Sequence, residues 1–255
     1  MRIYQDETQD RLTSKLRIIQ KRKGHRAASD DTLLAWAAAR AHPGATRVLD
    51  LGSGKGTVAM LLLQRLPGCC VVGLEALEIS HDLALRNAQL NGLTDRWEPR
   101  LGDLRDMSSL ADQIAFDLVT GAPPFMPLGS GVPPADLQRV AGRFELRGGV
   151  EEYSAAAARH IGPRGKFVVL MDGLEQSRSR AKLALNATGF FLHTVLEIRP
   201  RPGQNPIYWI FEASLEPGPV VRELLFLRSR EQSESSCEYE LIRREMDVLP
   251  VSNSS

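Results

Sequence analysis

Apolar positions along this chain fall in short runs separated by stretches of helical periodicity. Strand candidates are Arg47–Leu51, Cys70–Leu74, Glu98–Leu101, Phe116–Thr120 and Lys166–Met171. Between them, Thr57–Leu66, Ile79–Leu90, Met107–Ile114 and Glu151–His160 carry helical patterns. A helix over Thr32–Ala41 precedes the first of these strands, with Ser29-Asp30-Asp31 as its N-terminal signal. Another spans 174–188, and Gly189 fits its C-cap. Two final runs, Phe191–Ile198 and Ile207–Ala213, are joined by the turn-rich Arg199-Pro-Arg-Pro-Gly-Gln-Asn-Pro206 and read as an antiparallel pair. Strands alternating with helices predict an α/β fold with a mostly parallel sheet, closed by that pair.

The first strand runs straight into a glycine loop, Arg47-Val-Leu-Asp-Leu-Gly-Ser-Gly-Lys-Gly56. Strand, glycine turn and helix are the layout in which backbone comes close to a nucleotide-like ligand, because a Cβ would block φ > 0 and hold the ligand off. Three further features fall at the ends of the following strands, where open α/β sheets bind ligands. Glu75 ends the second, and its carboxylate suits the two hydroxyls of a ribose. Asp103, in Leu101-Gly-Asp-Leu-Arg, ends the third and suits an adenine amino group. Gly121-Ala-Pro-Pro-Phe125 ends the fourth. The dinucleotide fingerprint is excluded by spacing, since its third glycine falls three residues after the second and Gly56 falls two after Gly54. A phosphate-cradling P-loop is disfavoured because Lys55 lies between glycines rather than before Ser or Thr.

Composition narrows the setting more than the chemistry. The 255 residues are 43% hydrophobic and 25% charged, ordinary for a globular protein able to bury a sizeable core. No apolar stretch reaches a membrane-spanning length and the N-terminus has no apolar signal core. Three cysteines, with Cys69 and Cys70 adjacent, form neither a disulfide framework nor a metal-ligand set, so an intracellular, cytoplasmic protein without metal is expected. Net charge is only +1, but from Arg11 to Arg26 seven basic residues run without an acid. Within that run Lys21, Arg22, Lys23 and Arg26 are candidates to track the phosphates of a nucleic acid; a solvated basic face is the alternative.

The motifs Val-Leu-Asp-Leu-Gly-Ser-Gly-Lys-Gly, Glu75, Gly-Asp-Leu and Ala-Pro-Pro-Phe together resemble a class I S-adenosylmethionine-dependent methyltransferase. The resemblance implies a Rossmann-like, seven-stranded, mostly parallel sheet with an antiparallel last strand and helices on both faces. It also implies S-adenosyl-L-methionine as cofactor, held by Asp50, Gly52, Ser53, Gly54, Gly56, Glu75, Asp103 and Leu104. A narrower resemblance spans roughly residues 12–215. Leu16-Arg-Ile-Ile-Gln-Lys-Arg-Lys-Gly-His-Arg-Ala-Ala-Ser-Asp-Asp-Thr-Leu-Leu-Ala-Trp36, Leu85-Arg-Asn-Ala-Gln-Leu-Asn-Gly-Leu93 and Arg199-Pro-Arg-Pro-Gly203 are similar to the bacterial enzymes that methylate N6 of an adenine beside the anticodon of a valine tRNA. By that resemblance the lead-in closes over the cofactor, adding Ser29 and Asp30 as contacts, the substrate is tRNA, and a partner subunit of the same or another kind is possible. Glutamine methyltransferases share the Pro-Pro signature and part of the lead-in, so a protein-glutamine or small-molecule acceptor is the alternative.

One position departs from that family, whose Asn-Pro-Pro-Tyr or Phe is here Ala122-Pro123-Pro124-Phe125. In the family this segment is catalytic: the Asn amide oxygen accepts a hydrogen bond from the target amino group, the first proline's carbonyl makes a second, and the aromatic ring stacks on the base. Ala122 cannot make the first bond, a loss of about 2–4 kcal/mol at a catalytic site, whereas stacking on Phe125 retains about 1–3 kcal/mol. A catalytically impaired cofactor- and RNA-binding protein is therefore a third expectation. The Gly- and Pro-rich stretch Met126–Gly149 reads as a loop gating the substrate; it holds Arg143, a candidate RNA contact, and Glu145. In domain terms, residues 1–41 form the basic lead-in and first helix, 42–215 the methyltransferase domain, and 216–255 an extension with a disordered end.

Overall fold

The computed structural model describes residues 2–113, 115–127, 129, 136–229 and 235–248. It begins with strands β1 (Glu7–Arg11) and β2 (Arg17–Lys21) and helix α1 (Ser29–Ala41). Strand and helix then alternate through β3 (Arg47–Leu51), α2 (Thr57–Arg65), β4 (Cys70–Glu75), α3 (Glu78–Leu90), β5 (Trp97–Leu101) and β6 (Phe116–Gly121). Next come α4 (Leu137–Arg143), α5 (Val150–His160), β7 (Ile161–Asp172), α6 (Glu175–Ala187), β8 (Phe191–Arg199), β9 (Tyr208–Ser214), β10 (Val221–Phe226) and α7 (Cys237–Glu245).

Eight strands make one sheet in the order β10-β8-β9-β7-β6-β3-β4-β5. Only β9 is antiparallel to its neighbours, and it inserts between β7 and β8. Alternation along the strands sends neighbouring residues to opposite faces. Val48, Val71, Leu118, Val168 and Ile210 pack with α1, α2 and α3. Leu49, Val72, Val119, Val169 and Phe211 pack with α5 and α6. Both faces are thus covered, as near-continuous apolar strands require.

Four expectations are adjusted. The sheet has eight strands rather than seven, because the extension beyond residue 215 supplies β10, paired in parallel to β8. That edge strand is mostly exposed and shows no apolar alternation to read. The first helix starts at Ser29, not Thr32. Its cap is Ala28, in extended conformation, whose N–H donates to Asp31 Oδ2 (3.0 Å). In place of a helix over 107–114, the described residues form a single 3₁₀ turn, Met107–Leu110, opened by Asp106 accepting from the Ser108 N–H. Within 126–149 lies the helix α4, and Met126 and Phe144 form an isolated bridge. The expected disordered end, Pro250–Ser255, lies outside the described residues, as do residues 230–234.

The basic lead-in is a β-hairpin. Its β1 edge pairs β2 from Glu7↔Lys21 to Arg11↔Arg17. The other edge of β2 is completed by side chains one helical turn apart on α3. Asn91 accepts from the Arg17 N–H (2.9 Å) and donates to the Arg17 carbonyl (2.8 Å). Asn87 does the same at Ile19 (2.7 and 3.1 Å), and its amide also donates to the carbonyl of Lys55 in the glycine loop (3.0 Å). The hairpin turn is held from the far end of the chain, since the Ser14 N–H donates to the Asp247 carbonyl (3.2 Å) and Gln64 Nε2 to Asp247 Oδ2 (3.0 Å).

Asn87 is fully buried. Asn87→Leu strands one backbone N–H and two carbonyls in the core, at a cost of about 3 kcal/mol. Urea denaturation should show that loss, together with faster proteolysis of residues 1–28. A change below about 1 kcal/mol would mean that the hairpin docks by its apolar residues alone.

Candidate active site

The strand ends of β3, β4, β5 and β6 open into one cavity of about 170 Å³. The chain must turn sharply after β3, and Gly52, Gly54 and Gly56 all take left-handed φ (63°, 58° and 88°). Gly52 and Gly56 are also fixed by packing: a Cβ would strike the Tyr153 hydroxyl at the first and the Trp97 ring at the second. Gly54 differs, because a Cβ there would meet nothing within 4 Å. Its N–H donates to Glu75 Oε2 (2.8 Å), and the Leu77 N–H donates to Oε1 (2.7 Å). Those two bonds aim the Glu75 carboxylate along the glycine loop.

Among the expected cofactor contacts, Asp30, Asp50, Gly52, Ser53, Gly54, Glu75, Asp103 and Leu104 line this cavity, as do Ala122, Pro123, Pro124 and Phe125. Seven expected site residues lie elsewhere: Ser29, Gly56, Arg143 and the four of the basic run. Ser29 hydrogen-bonds Tyr239 of α7, Gly56 is buried against Trp97, and Arg143 is exposed at the end of α4. The basic run is partly neutralised. Lys21 pairs with Asp6 (2.9 Å) and Glu7 (3.0 Å), and its side chain is only 14% exposed. Arg26 pairs with Asp10 (2.8 Å). These acids lie in and beside β1, upstream of the uninterrupted run, and meet it only across the hairpin. Arg22 and Lys23 stay exposed.

The lining includes residues that the sequence did not single out for this role: His25, Asp31, Lys55, Gln138, Arg147 and Tyr153. Gln138 on α4 donates to Ser80 Oγ (3.0 Å), which brings α4 over the cavity. Arg180 braces the segment after α4 by bridging Glu145 (2.5 Å) and Glu151 (2.6 Å). Tyr153 reaches from α5 under the loop, where a Cβ on Gly121 would also meet it (2.7 Å). Only the proximity of small residues at 52 and 121 hinted at that ring.

Carboxylates dominate the electrostatics: Asp30, Asp31, Asp50, Glu75 and Asp103, against Lys55 and Arg147. Burial pushes Asp50 up to about 7, although Thr120 Oγ1 donates to its Oδ1 (2.8 Å). Burial and the neighbouring Asp31 lift Asp30 to about 6. Glu75 is also raised by burial, against its two backbone bonds. Asp103 is lowered by its ion pair with Arg105 (2.7 Å). Asp30 Oδ1, Asp50 Oδ2 and Ser53 Oγ are buried without a hydrogen-bond partner. Unmet acceptors around an open glycine suit a cationic ligand rich in N–H and O–H groups, and the sulfonium, ammonium and ribose of S-adenosylmethionine meet that description.

Known proteins resemble this chain in sequence and fold. Residues 48–141 match the family described as "Methyltransferase domain". A tRNA1(Val) (adenine(37)-N6)-methyltransferase of Porphyromonas gingivalis is 33% identical over 190 residues, 71% of each chain. The chain belongs to this family. It is accordingly a class I S-adenosylmethionine-dependent methyltransferase. The tRNA1(Val) (adenine(37)-N6)-methyltransferase of Tolumonas auensis is 28% identical over 83% of this chain and 85% of its own. In fold, the chain resembles the crystal structure of a predicted O-methyltransferase from Agrobacterium tumefaciens (TM-score 0.62, 18% identity, 86% and 98% of the two chains). No helix among the described residues is long and apolar enough to cross a membrane.

The raised Asp50 carboxyl has a signed consequence for the ligand-free protein. Between its ordinary value of 3.8 and about 7 the folded state holds a proton that the unfolded chain releases. Its stabilising contribution is complete below 3.8 and is lost as pH rises through about 7. Asp50→Asn removes the dependence, so urea denaturation should show the variant gaining on the native protein by about 3 kcal/mol between pH 5 and pH 8. A constant difference across that range would place the proton elsewhere.

Proposed function

We propose that this methyltransferase modifies N6 of an adenine in tRNA. The carrying observation is the rim of the cavity. Phe125 stands half-buried there, next to the buried Pro123 and across from the glycine loop. A flat acceptor stacked on Phe125 would have its edge directed to Pro123 and its amino group toward the cofactor. The named relatives are tRNA adenine-N6 methyltransferases, which favours this acceptor over a glutamine side chain.

In this reading Glu75 accepts from the ribose hydroxyls of the cofactor, Asp103 from its adenine amino group, and Leu104 packs on the adenine. The glycine loop and Asp50 meet its methionine part, and Asp30 closes over it from α1. Bound S-adenosylmethionine supplies the electrophilic methyl. The protein's own contribution is to hold the acceptor nitrogen in line with that methyl and to exclude water, through Phe125 stacking, the Pro123 carbonyl and the cover formed by α4. An adenine reaches such a pocket only when unstacked, as loop nucleotides are. Arg22 and Lys23 on the hairpin, with Arg139 and Arg143 on α4, are exposed cations suited to flanking phosphates. Lys21 and Arg26 instead hold the hairpin together.

Purified protein incubated with labelled cofactor and tRNA should yield labelled N6-methyladenosine on nucleoside analysis. The absence of transfer to any RNA would sink the assignment. Ala122→Asn supplies the missing acceptor and should raise the rate by about a hundredfold. Methylation emerging only in that variant would mark the native chain as a binder that has lost catalysis.

Phosphate tracking has its own signature. The double change Arg22→Ala, Lys23→Ala should lower the slope of log affinity for tRNA against log salt by about 1.4 to 1.8. An unchanged slope would confine RNA binding to other surfaces.

A further inference from the structure

Lys55 lies in the middle of the glycine loop, only 5% exposed, and lines the cavity. Buried lysines are normally paired. No carboxylate of the described residues comes within ion-pairing distance of this one, although Asp31 and Asp30 both act on it through space. Facing it across the cavity is the first turn of α1, where Asp30 Oδ1 is buried without a partner.

The carboxylates of the lining differ in how they are held. Asp103 is paired with Arg105 and Glu75 takes two backbone N–H groups, each keeping lone pairs for further donors. Such fixed acceptors suit uncharged hydroxyl and amino donors. The same lining holds Lys55, without an ion pair among the described residues, and the carboxylates of Asp30 and Asp31, which act on it through space. A ligand that meets all three needs an anionic group for Lys55 and a cationic one for Asp30 and Asp31. The cofactor has one segment with both charges, its α-amino-acid end.

We propose that Lys55 binds the α-carboxylate of the cofactor, with Asp30 and Asp31 receiving its ammonium. Lys55 is thereby a specificity-determining residue that selects ligands carrying the complete amino-acid end. The assignment rests on the cofactor reading above. Burial lowers the Lys55 pKa while the two aspartates oppose that fall, and an anion bound beside the side chain would favour its charged form. The backbone of Lys55 is held independently, through the Asn87 amide on its carbonyl (3.0 Å), so changing the side chain leaves the loop anchored.

Calorimetric titration tests this without turnover. The probes are S-adenosylhomocysteine and its decarboxylated analogue S-adenosyl-3-thiopropylamine, which keeps the amine. For Lys55→Met, affinity for S-adenosylhomocysteine should fall about thirtyfold, the effect of losing one charge-assisted bond. Affinity for the analogue should stay within a factor of about three, and Lys55→Arg should recover most of the loss. Equal losses for both ligands would overturn the assignment, since the side chain would then be acting on the loop as a whole. Unchanged binding of S-adenosylhomocysteine would overturn it too. Failure of the native protein to bind either probe would instead bring down the cofactor reading beneath it, and the assignment with it.

Discussion

A single buried carboxamide sets the geometry on which the site depends. Asn87 is held by α3, and its amide spans the backbone of β2 and the backbone of the glycine loop. Both groups need it: β2 has β1 on one side only, and the Lys55 carbonyl lies in a turn between the left-handed Gly54 and Gly56. An amide offers two N–H donors and an acceptor oxygen, which matches the two carbonyls and one N–H that it serves here. Asn91, one turn on, repeats the device at Arg17. The helix thus serves β2 as a neighbouring strand would. The chain leaving β2 reaches the cavity at His25 and Asp30 because its start is fixed relative to the loop it covers.

Charge is distributed with the same economy. One cation of the hairpin is turned inward: Glu7, fully buried in its side chain, accepts from both Lys21 (3.0 Å) and Arg86 of α3 (2.7 Å). Hydrogen bonds from these partners hold its carboxyl down at about 2 against the pull of burial. The cavity does the opposite and gathers carboxylates with few counter-ions. The first arrangement stabilises the free protein, and the second leaves it poised for a positively charged ligand.

The parts of the molecule legible in its sequence are those where backbone geometry forces residue choice. Glycines at 52, 54 and 56 were readable because left-handed turns leave few alternatives, and Glu75 because it ends a continuous apolar strand. What escaped reading depends on contacts between distant segments. The hairpin strand Glu7-Thr-Gln-Asp-Arg11 is too polar to signal a strand, since its role is to supply acids to β2. Lys21 and Arg26 looked free because their acidic partners precede them in the chain. Helix α4 has little apolar periodicity, and its buried residue is the polar Gln138. Lys55 and Tyr153 are each ordinary in their own segment and meaningful only beside the cavity.

The fastening at Asp247 gives the chain a direction in time. A residue near the end of α7 holds the turn of a hairpin that begins at the seventh residue. During synthesis the glycine loop, the strand ends and the hairpin all emerge well before the segment that ties them together. The cofactor site is therefore among the earliest parts to be made and among the last to be completed. Until α7 leaves the ribosome, the hairpin turn lacks its anchor at Asp247.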